Sequence, residues 1–364
     1  MSNVKLSHSA IGKYQTCGKM YEYHYIQKLR PKVHSAALVF GDAFDKGVSF
    51  LLANPVQLDA AIAIFIENFT NNNINDTLTY VPTYPGLVYS NNDFDRDLLM
   101  PEEIRMLEEK YQDDVIPRVE SIKAQKKAIG WEMIKREHKE LYNEVHWHVM
   151  KTKGRILLEA YYTKVLPLIE KVHATQEMVT LDNGHGDIIT GYVDLIADVK
   201  GHGTVILDNK TAGMEYAQDS VLSSSQLSLY VHCLEEKYKT RKAGYIVLLK
   251  NIVKNKKKVC IKCANDGSGA RHKTCNNTVD DKRCEGEWIE TIAPEGKVQI
   301  IIDEVPILTE NIVMENFDTV NNAIKHKLFP RNFNSCLNNY GSICPYYGLC
   351  YKNNDKGLVK KESK

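Results

Sequence analysis

The chain of 364 residues is long enough to bury a substantial core, as one large domain with insertions or as two to three units. Its 47 Lys and Arg against 46 Asp and Glu leave a formal charge of +1, so overall charge neither demands nor excludes a polyanionic partner, which must be read from local patches. No apolar run reaches bilayer length, and the opening MSNVKLSHSAIGKYQ lacks the charged-then-apolar pattern of an export signal, so the expectation is a soluble, cytoplasmic protein without membrane contact.

Residues 7–30 carry Ile11, Tyr14, Tyr21 and Tyr25 at helical spacing, and helical patterns recur over roughly 41–53 and 57–69. The Asn-, Asp- and Pro-rich stretch 70–97 reads as a long surface loop. A charged helical stretch follows from Pro101 to about Lys127, and another from about 150 to 173. The pattern then changes to short strands: EMVTL (177–181), DIITGYVDLIAD (187–198) and TVILDNKT (204–211), with VKGHG as a turn between the last two. A helix over 224–238 leads to a very apolar strand over 244–253, and a strand pair, GEWIETIA and KVQIIIDEV, flanks a Pro-Glu-Gly turn at 294–296.

Strand side chains alternate between faces, so Asp208 and Lys210 point the same way. If 187–198 and 204–211 pair as a hairpin, Asp194 converges with Asp208, setting two hard oxygen donors beside one ammonium. That set suits phosphodiester hydrolysis: carboxylates hold Mg²⁺ or Mn²⁺, the metal acidifies water, and lysine stabilises charge on phosphate. Gln226 and Tyr230, four apart, share one face of the next helix and are placed to orient Lys210 or grip the backbone of the substrate. Taken alone, Asp-x-Lys is common and is more often a solvated strand end, so the weight lies on the whole set in this order.

These residues, Asp194 in GYVDLI, Asp208 and Lys210 in LDNK, and the QLSLY helix with Gln226 and Tyr230, resemble the PD-(D/E)xK nucleases. Within them the similarity is to the branch holding the nuclease domain of the bacterial RecB helicase and the CRISPR-adaptation exonucleases, whose N-terminal signature LSHSAIGKYQTCGKMYEYHYI resembles. The resemblance covers the N-terminal helices and most of 150–352, and hardly informs 54–150. It implies an α/β fold with a restriction-endonuclease-like core, a mixed central sheet flanked by helices. It also implies that the backbone carbonyl of Asn209 joins Asp194 and Asp208 at the metal, and that Lys210 assists the attacking water. One departure stands out: four residues after Gly41, where that branch has a metal-binding histidine, this chain has Asp45, an oxygen donor with Asp42 one turn earlier.

Nine cysteines in a chain of this kind point to metal ligation rather than disulfides. Cys260-x2-Cys263-x11-Cys275-x8-Cys284 supplies four soft donors for a structural zinc, and the Gly-, Asn-, Asp- and Lys-rich residues between them are too polar to fold without one. Beside it lie Lys254, Lys256, Lys257 and Lys258, with Arg271 and Lys273 further on; such a charge run is usually a solvated face, but next to a zinc knuckle it suits phosphate contact. Near the C-terminus Cys336, Cys344 and Cys350 leave a four-ligand site one short, and Cys17 is the natural fourth. In the resembled branch such a set holds a 4Fe-4S cluster that staples the chain ends; zinc is the alternative. Cys233 reads as a small buried hydrophobe.

The alternate histidines of HWH (146–148) have no third ligand in sequence and read as packing or surface. No nucleotide-binding G-x-x-x-x-G-K-[ST] occurs, so any unwinding would fall to a separate helicase or recombination protein. The expected organisation is a helical N-terminal region over 1–150 contributing Cys17 and Asp45, a nuclease core over 151–257 and 286–330, a zinc insertion over 258–285, a cysteine cluster over 331–352 and a basic tail over 353–364. The expected function is a Mg²⁺- or Mn²⁺-dependent deoxyribonuclease, by resemblance an exonuclease on single-stranded or processed ends, in replication, recombination or repair. The rivals are an inactive DNA-binding factor on the same fold and an RNA-directed nuclease.

Overall fold

The computed structural model describes residues 5–32, 34–69, 87–88, 94–112, 114–130, 133–267, 273–279, 281–337 and 343–361. Strand β1 (Lys5–Ser7) runs into helix α1 (His8–Thr16), where Ser7 Oγ accepts from the Ala10 amide at 3.1 Å and caps the helix. Then come α2 (Gly18–Tyr21), a π-turn (Glu22–Ile26), β2 (Leu29–Pro31), β3 (His34–Ser35), α3 (Ala36–Ala53), α4 (Leu58–Asn68) and β4 (Leu87–Val88). Helix α3 buries Phe40, Phe44, Val48 and Leu51, a stripe at three- and four-residue spacing. Most of the loop expected over 70–97 lies outside the described residues.

Next are α5 (Pro101–Tyr111), α6 (Val115–Ile129), α7 (Arg136–Ala160), a second π-turn (Tyr161–Val165), β5 (Ile169–Asp182), β6 (Ile188–Val199), β7 (Gly203–Ala212), α8 (Ser225–Tyr238) and β8 (Lys242–Cys260). After β9 (Thr278–Val279) and β10 (Lys282–Arg283), β11 (Trp288–Glu304), α9 (Leu308–Lys325), α10 (Tyr347–Lys352) and β12 (Leu358–Lys360) complete the described chain. None of the described helices is long and apolar enough to cross a membrane.

Three sequence expectations need correcting. The charged stretch 101–127 is two helices, because Pro117 lacks an amide hydrogen and is tolerated only in a first turn, which it occupies in α6. The helix expected from about 150 begins at Arg136, since Leu141, Val145 and Val149 make a buried stripe that the surrounding charges obscure, and it has given way to β5 by Ile169. His146 and His148 thus lie on α7, both buried, His148 Nδ1 being 2.7 Å from Glu103 Oε1. Finally, Pro294-Glu295-Gly296 is no hairpin turn: β11 is one strand paired throughout with β8. The register shift there sets Lys250, Asn251 and Ile252 of β8 opposite Gly296 alone, so the bulge falls in β8 while Pro294 and Glu295 stay paired.

The sheet is mixed. Strand β6 pairs antiparallel with β5 along one edge; the other edge pairs first with β1, parallel, over 188–190, and then with β7, antiparallel, over 195–199. Strand β7 continues parallel to β8 through the crossover helix α8, and β11 closes the order. Alternation sends Leu195, Ala197, Leu207, Ile246 and Leu248 to a core under α3, α4 and α7, and Ile196, Ile206, Val247 and Leu249 to a second core under α1, α8 and α9. The expected boundary at 150/151 falls within α7, and β1 belongs to the sheet, so the N-terminal helices and the strands share their cores.

Candidate active site

Between the β1 and β7 pairings, residues 191–194 of β6 have no strand partner on that edge among the described residues. The VKGHG turn, with Gly201 and Gly203 both at positive φ, fixes the β6–β7 register as Leu195 opposite Leu207. One step further, where the strands part, Asp194 and Asp208 face each other. The split frees backbone groups that side chains then take. Asp194 Oδ2 accepts from the Asn209 amide at 2.8 Å, and Tyr230 Oη donates to the Tyr192 carbonyl at 2.6 Å. Gly191 is required here, because a Cβ would lie 2.8 Å from the Tyr230 ring that crosses over it.

Lys210 Nζ lies 2.5 Å from Asp208 Oδ2, and Gln226 Nε2 donates to Asp208 Oδ1 at 3.0 Å. The same Gln226 nitrogen is 2.7 Å from Tyr230 Oη, and its Oε1 is 3.5 Å from Lys210 Nζ. Thus Asp208, Lys210, Gln226 and Tyr230 form one bonded group, with Asp194 beside it on the Asn209 amide, reached by β6, β7 and α8. Asp45 approaches from α3 on the other side of the sheet, its Oδ2 accepting from Gln176 Nε2 at 3.1 Å while its buried Oδ1 has no partner among the described residues.

The electrostatics are those of acids crowded in a dry place. Burial, then Asp208 and Asp45, push Asp194 up to about 7; burial, then Asp42 and Asp208, push Asp45 up to about 6. Asp208 is also raised by burial, against the pull of Lys210. Burial opposes the Lys210 charge, but Asp208 and Asp194 outweigh it and keep the ammonium protonated. One buried and two half-buried carboxylates, with an orphaned oxygen among them, are the chemistry a hard divalent cation satisfies. The three carboxylates do not converge on a single point: among the described residues, only Cys260, Cys263, Cys275 and Cys284 form a group of three or more ligating residues with all ligand atoms within 4.8 Å of one another.

Several neighbours carry no signal in the sequence. His8 Nε2 is 2.9 Å from Ser225 Oγ, and burial followed by the Lys210 charge lowers its pKa. Tyr245, bonded to Ser224 Oγ at 2.6 Å, and Tyr216 both feel Asp208 and Lys210. Gln176 and Tyr161 border the Asp45 side. Each is brought in by tertiary packing from a segment with its own local pattern.

At the far end of the β8–β11 ribbon, Cys260, Cys263, Cys275 and Cys284 come together. The Cys260–Cys284 and Cys263–Cys275 sulfurs are 3.5 and 3.6 Å apart, close to the roughly 3.8 Å edge of a zinc–thiolate tetrahedron. Around them β9 and β10 form a small hairpin.

Cys17, Cys336, Cys344 and Cys350 line one open cavity together with Tyr23, Arg331 and Tyr351. No three of these sulfurs all lie within 4.8 Å of one another. Arg331 Nε donates to Cys350 Sγ at 3.2 Å, and Cys336 Sγ is 3.5 Å from Tyr351 Oη. The chain ends meet here, with the Lys19 amide donating to the Pro330 carbonyl at 3.1 Å and β12 pairing with β2.

Of the basic residues singled out in sequence, Lys254 is already spoken for: Asp95 and Asp97 hold its ammonium at 2.5 and 2.6 Å, so acids some 160 residues away neutralise it. Lys256, Lys257, Lys258 and Lys273 are exposed, Lys256 lying a loose 3.9 Å from Glu290. Arg271 lies outside the described residues.

A search of curated proteins gives no match. The model of the PD-(D/E)XK nuclease superfamily matches residues 105–351, which takes in Asp194, Asp208, Lys210, Gln226, Tyr230 and the C-terminal cysteines but not Cys17 or Asp45. With more than half the chain matched, and a mixed sheet flanked by helices that agrees with a restriction-endonuclease-like fold, this protein belongs to the PD-(D/E)XK nuclease superfamily, and that membership implies metal-dependent hydrolysis of phosphodiester bonds.

Proposed function

We propose that the protein is a deoxyribonuclease acting as an exonuclease on single-stranded or processed ends, with Asp45, Asp194 and Asp208 as the Mg²⁺ or Mn²⁺ ligands. The observation that carries the site is the meeting of Asp194, Asp208 and Lys210 where β6 and β7 part. A divalent cation bound there supplies charge neutralisation at the phosphate and a more acidic attacking water. The chain's own residues do the rest. Lys210, held by Asp208 and Gln226 Oε1, offers a proton-bearing cation to the phosphate oxygens. Gln226 and Tyr230 lock Asp208 to β6, which keeps the two acids opposed. The Asn209 amide fixes the rotamer of Asp194 and leaves the Asn209 carbonyl as a further oxygen donor.

Two further metals complete the reading. The 3.5–3.6 Å sulfur spacing supports a structural zinc on Cys260, Cys263, Cys275 and Cys284. The wider spacing of Cys17, Cys336, Cys344 and Cys350 around a shared cavity suits a multi-iron cluster better than a single ion, so we assign 4Fe-4S there. Exposed Lys256, Lys257 and Lys258 on the ribbon, with Lys273, give the DNA a phosphate-contact surface.

The test is digestion of 5′- and 3′-labelled single- and double-stranded DNA, and of matched RNA, by anaerobically purified protein in Mn²⁺. Asp208→Ala and Lys210→Ala should each lose at least about 100-fold in rate. Activity surviving both substitutions rejects the site; a wild type that binds DNA without cutting it makes the protein an inactive binding factor; preferential cutting of RNA reassigns the substrate.

A further inference from the structure

The Asp45 side of the site holds three features that the roles above do not use. The Tyr161 side chain is fully buried, its hydroxyl has no partner among the described residues, and the charges of Asp194 and Asp45 both act on it. It stands where α7 passes into the π-turn Tyr161–Val165, and single π-turns inside helices recur at functional sites. Asp45 Oδ1 is the matching feature, a buried acceptor without a donor. The third is Gln176. It lies opposite Asp194, between the Thr175–Leu195 and Glu177–Val193 pairs of β5 and β6, but at φ +51, a left-handed conformation strained for a residue with a side chain. That departure from the strand accompanies the 3.1 Å hydrogen bond from Gln176 Nε2 to Asp45 Oδ2.

A buried hydroxyl and a buried carboxylate oxygen left unpaired cost stability, as does a non-glycine residue in the left-handed region. Phenylalanine at 161 and an extended backbone at 176 would remove the cost. We propose that Tyr161 and Gln176 are positioning residues for Asp45: Gln176 holds Oδ2, and the Tyr161 hydroxyl donates toward Oδ1 through an ordered water, fixing Asp45 as the third carboxylate of the cation site. Both groups present hydrogen-bond donors, which is what an acidic ligand needs; a histidine at this position would call for an acceptor at its free ring N–H. The pair thus accounts for how the chain uses an aspartate at position 45. This inference rests on the reading of Asp45, Asp194 and Asp208 as cation ligands.

The test is Mn²⁺ binding to the full-length protein without nucleic acid, followed by the electron paramagnetic resonance signal of free Mn²⁺, with melting temperature measured alongside. Tyr161→Phe and Gln176→Gly should each weaken Mn²⁺ binding by roughly 10-fold, the usual effect of losing a group that orients a ligand. Neither should lower the melting temperature without Mn²⁺, since each removes an unpaired group or a strained backbone. In an Asp45→Asn background both should leave the residual affinity unchanged, which a merely structural role would not produce. Wild-type affinity in both single variants, or the same loss in the Asp45→Asn background, overturns the inference alone, provided Asp208→Asn abolishes binding. A wild type that binds no Mn²⁺, or an Asp208→Asn variant that binds as well as wild type, overturns the cation site and this inference with it.

Discussion

Raising the pH in buffer without Mg²⁺ or Mn²⁺ charges a buried cluster of acids, and the site should then weaken the fold that holds it. Asp194 and Asp45 titrate at about 7 and about 6 in the folded chain, against 3.8 for an unperturbed carboxyl. Between pH 4 and 7 the folded state therefore keeps protons that the unfolded chain has released. Unfolding gives up protons in that window, so stability falls as pH rises and the loss is complete above about pH 7. For Asp194 alone, moving from 3.8 to about 7 corresponds to about 4 kcal/mol. With an unfolding entropy of about 2.1 cal/mol/K per residue over 364 residues, that is a loss of about 5 °C in melting temperature. Histidines with lowered pKa, such as His24 and His146, act in the opposite sense at lower pH, so the quantity to read is the difference between wild type and Asp194→Asn. By differential scanning calorimetry the variant should match wild type near pH 4.5 and exceed its melting temperature by several degrees at pH 8. Added Mn²⁺ should raise the wild type more at pH 8 than at pH 5.5 and leave the variant nearly unmoved. A difference curve that is flat, or that favours wild type at pH 8, would refute the argument that burial and mutual repulsion dominate here.

Cys263→Ser should remove one zinc per chain by mass spectrometric metal analysis and open 261–287 to limited proteolysis, while the main sheet, which buries its own cores, keeps its melting transition. Protein purified without air should be brown, and Cys17→Ser should abolish the visible absorption and lower the melting temperature; a colourless wild type with two zinc ions per chain would reject the cluster. Replacing Lys256, Lys257 and Lys258 together by Ser should lower the slope of log affinity against log salt for single-stranded DNA by up to about 2, as three phosphate contacts are lost. An unchanged slope would place the DNA path elsewhere. Lys254→Ser, by contrast, should leave the slope unaltered and instead release Asp95 and Asp97.

What the sequence made legible follows from what is local in it. Asp208 and Lys210 share a strand face by the period of two alone, and a short glycine turn then fixes which β6 residue Asp208 meets. Gln226 and Tyr230 follow from the period of a helix. The C-x2-C knuckle reports its own turn. The groups that escaped are those whose role is set by segments remote in sequence. Gln176 faces Asp45 across 131 residues, His8 meets Ser225 across 217, and nothing near Lys254 in sequence shows that Asp95 and Asp97 have claimed it. Backbone geometry was hidden too: the left-handed φ of Gln176 is imposed on a residue type with no preference for it, and Pro294-Glu295-Gly296 reads as a turn although the long partner β8 keeps it in the sheet.

The two ends of the chain bear on the site through one short helix. Strand β1 pairs with β6 over 188–190, just before the stretch 191–194 that has no strand partner on that edge among the described residues, and so sets one border of the gap in which the acids meet. Helix α1 carries the chain from that border, with His8 beside Ser225 and within reach of the Lys210 charge, to Cys17 at the cysteine-lined cavity. Nine residues of helix span about 14 Å, so the gap edge and the cavity are joined by a single rigid rod. The first turn of α2 is tied in turn to Pro330, and β12 to β2, with Tyr21 stacked on Phe329 and Tyr23 packed against the buried Tyr346. Bonds from metal to Cys17 and to the C-terminal cysteines would add to that aromatic packing and hold the junction closed. A metal cluster bound there would support hydrolysis without touching substrate, by keeping β1 and α1 seated and the border of the gap fixed while β6 and β7 hold their acids in place.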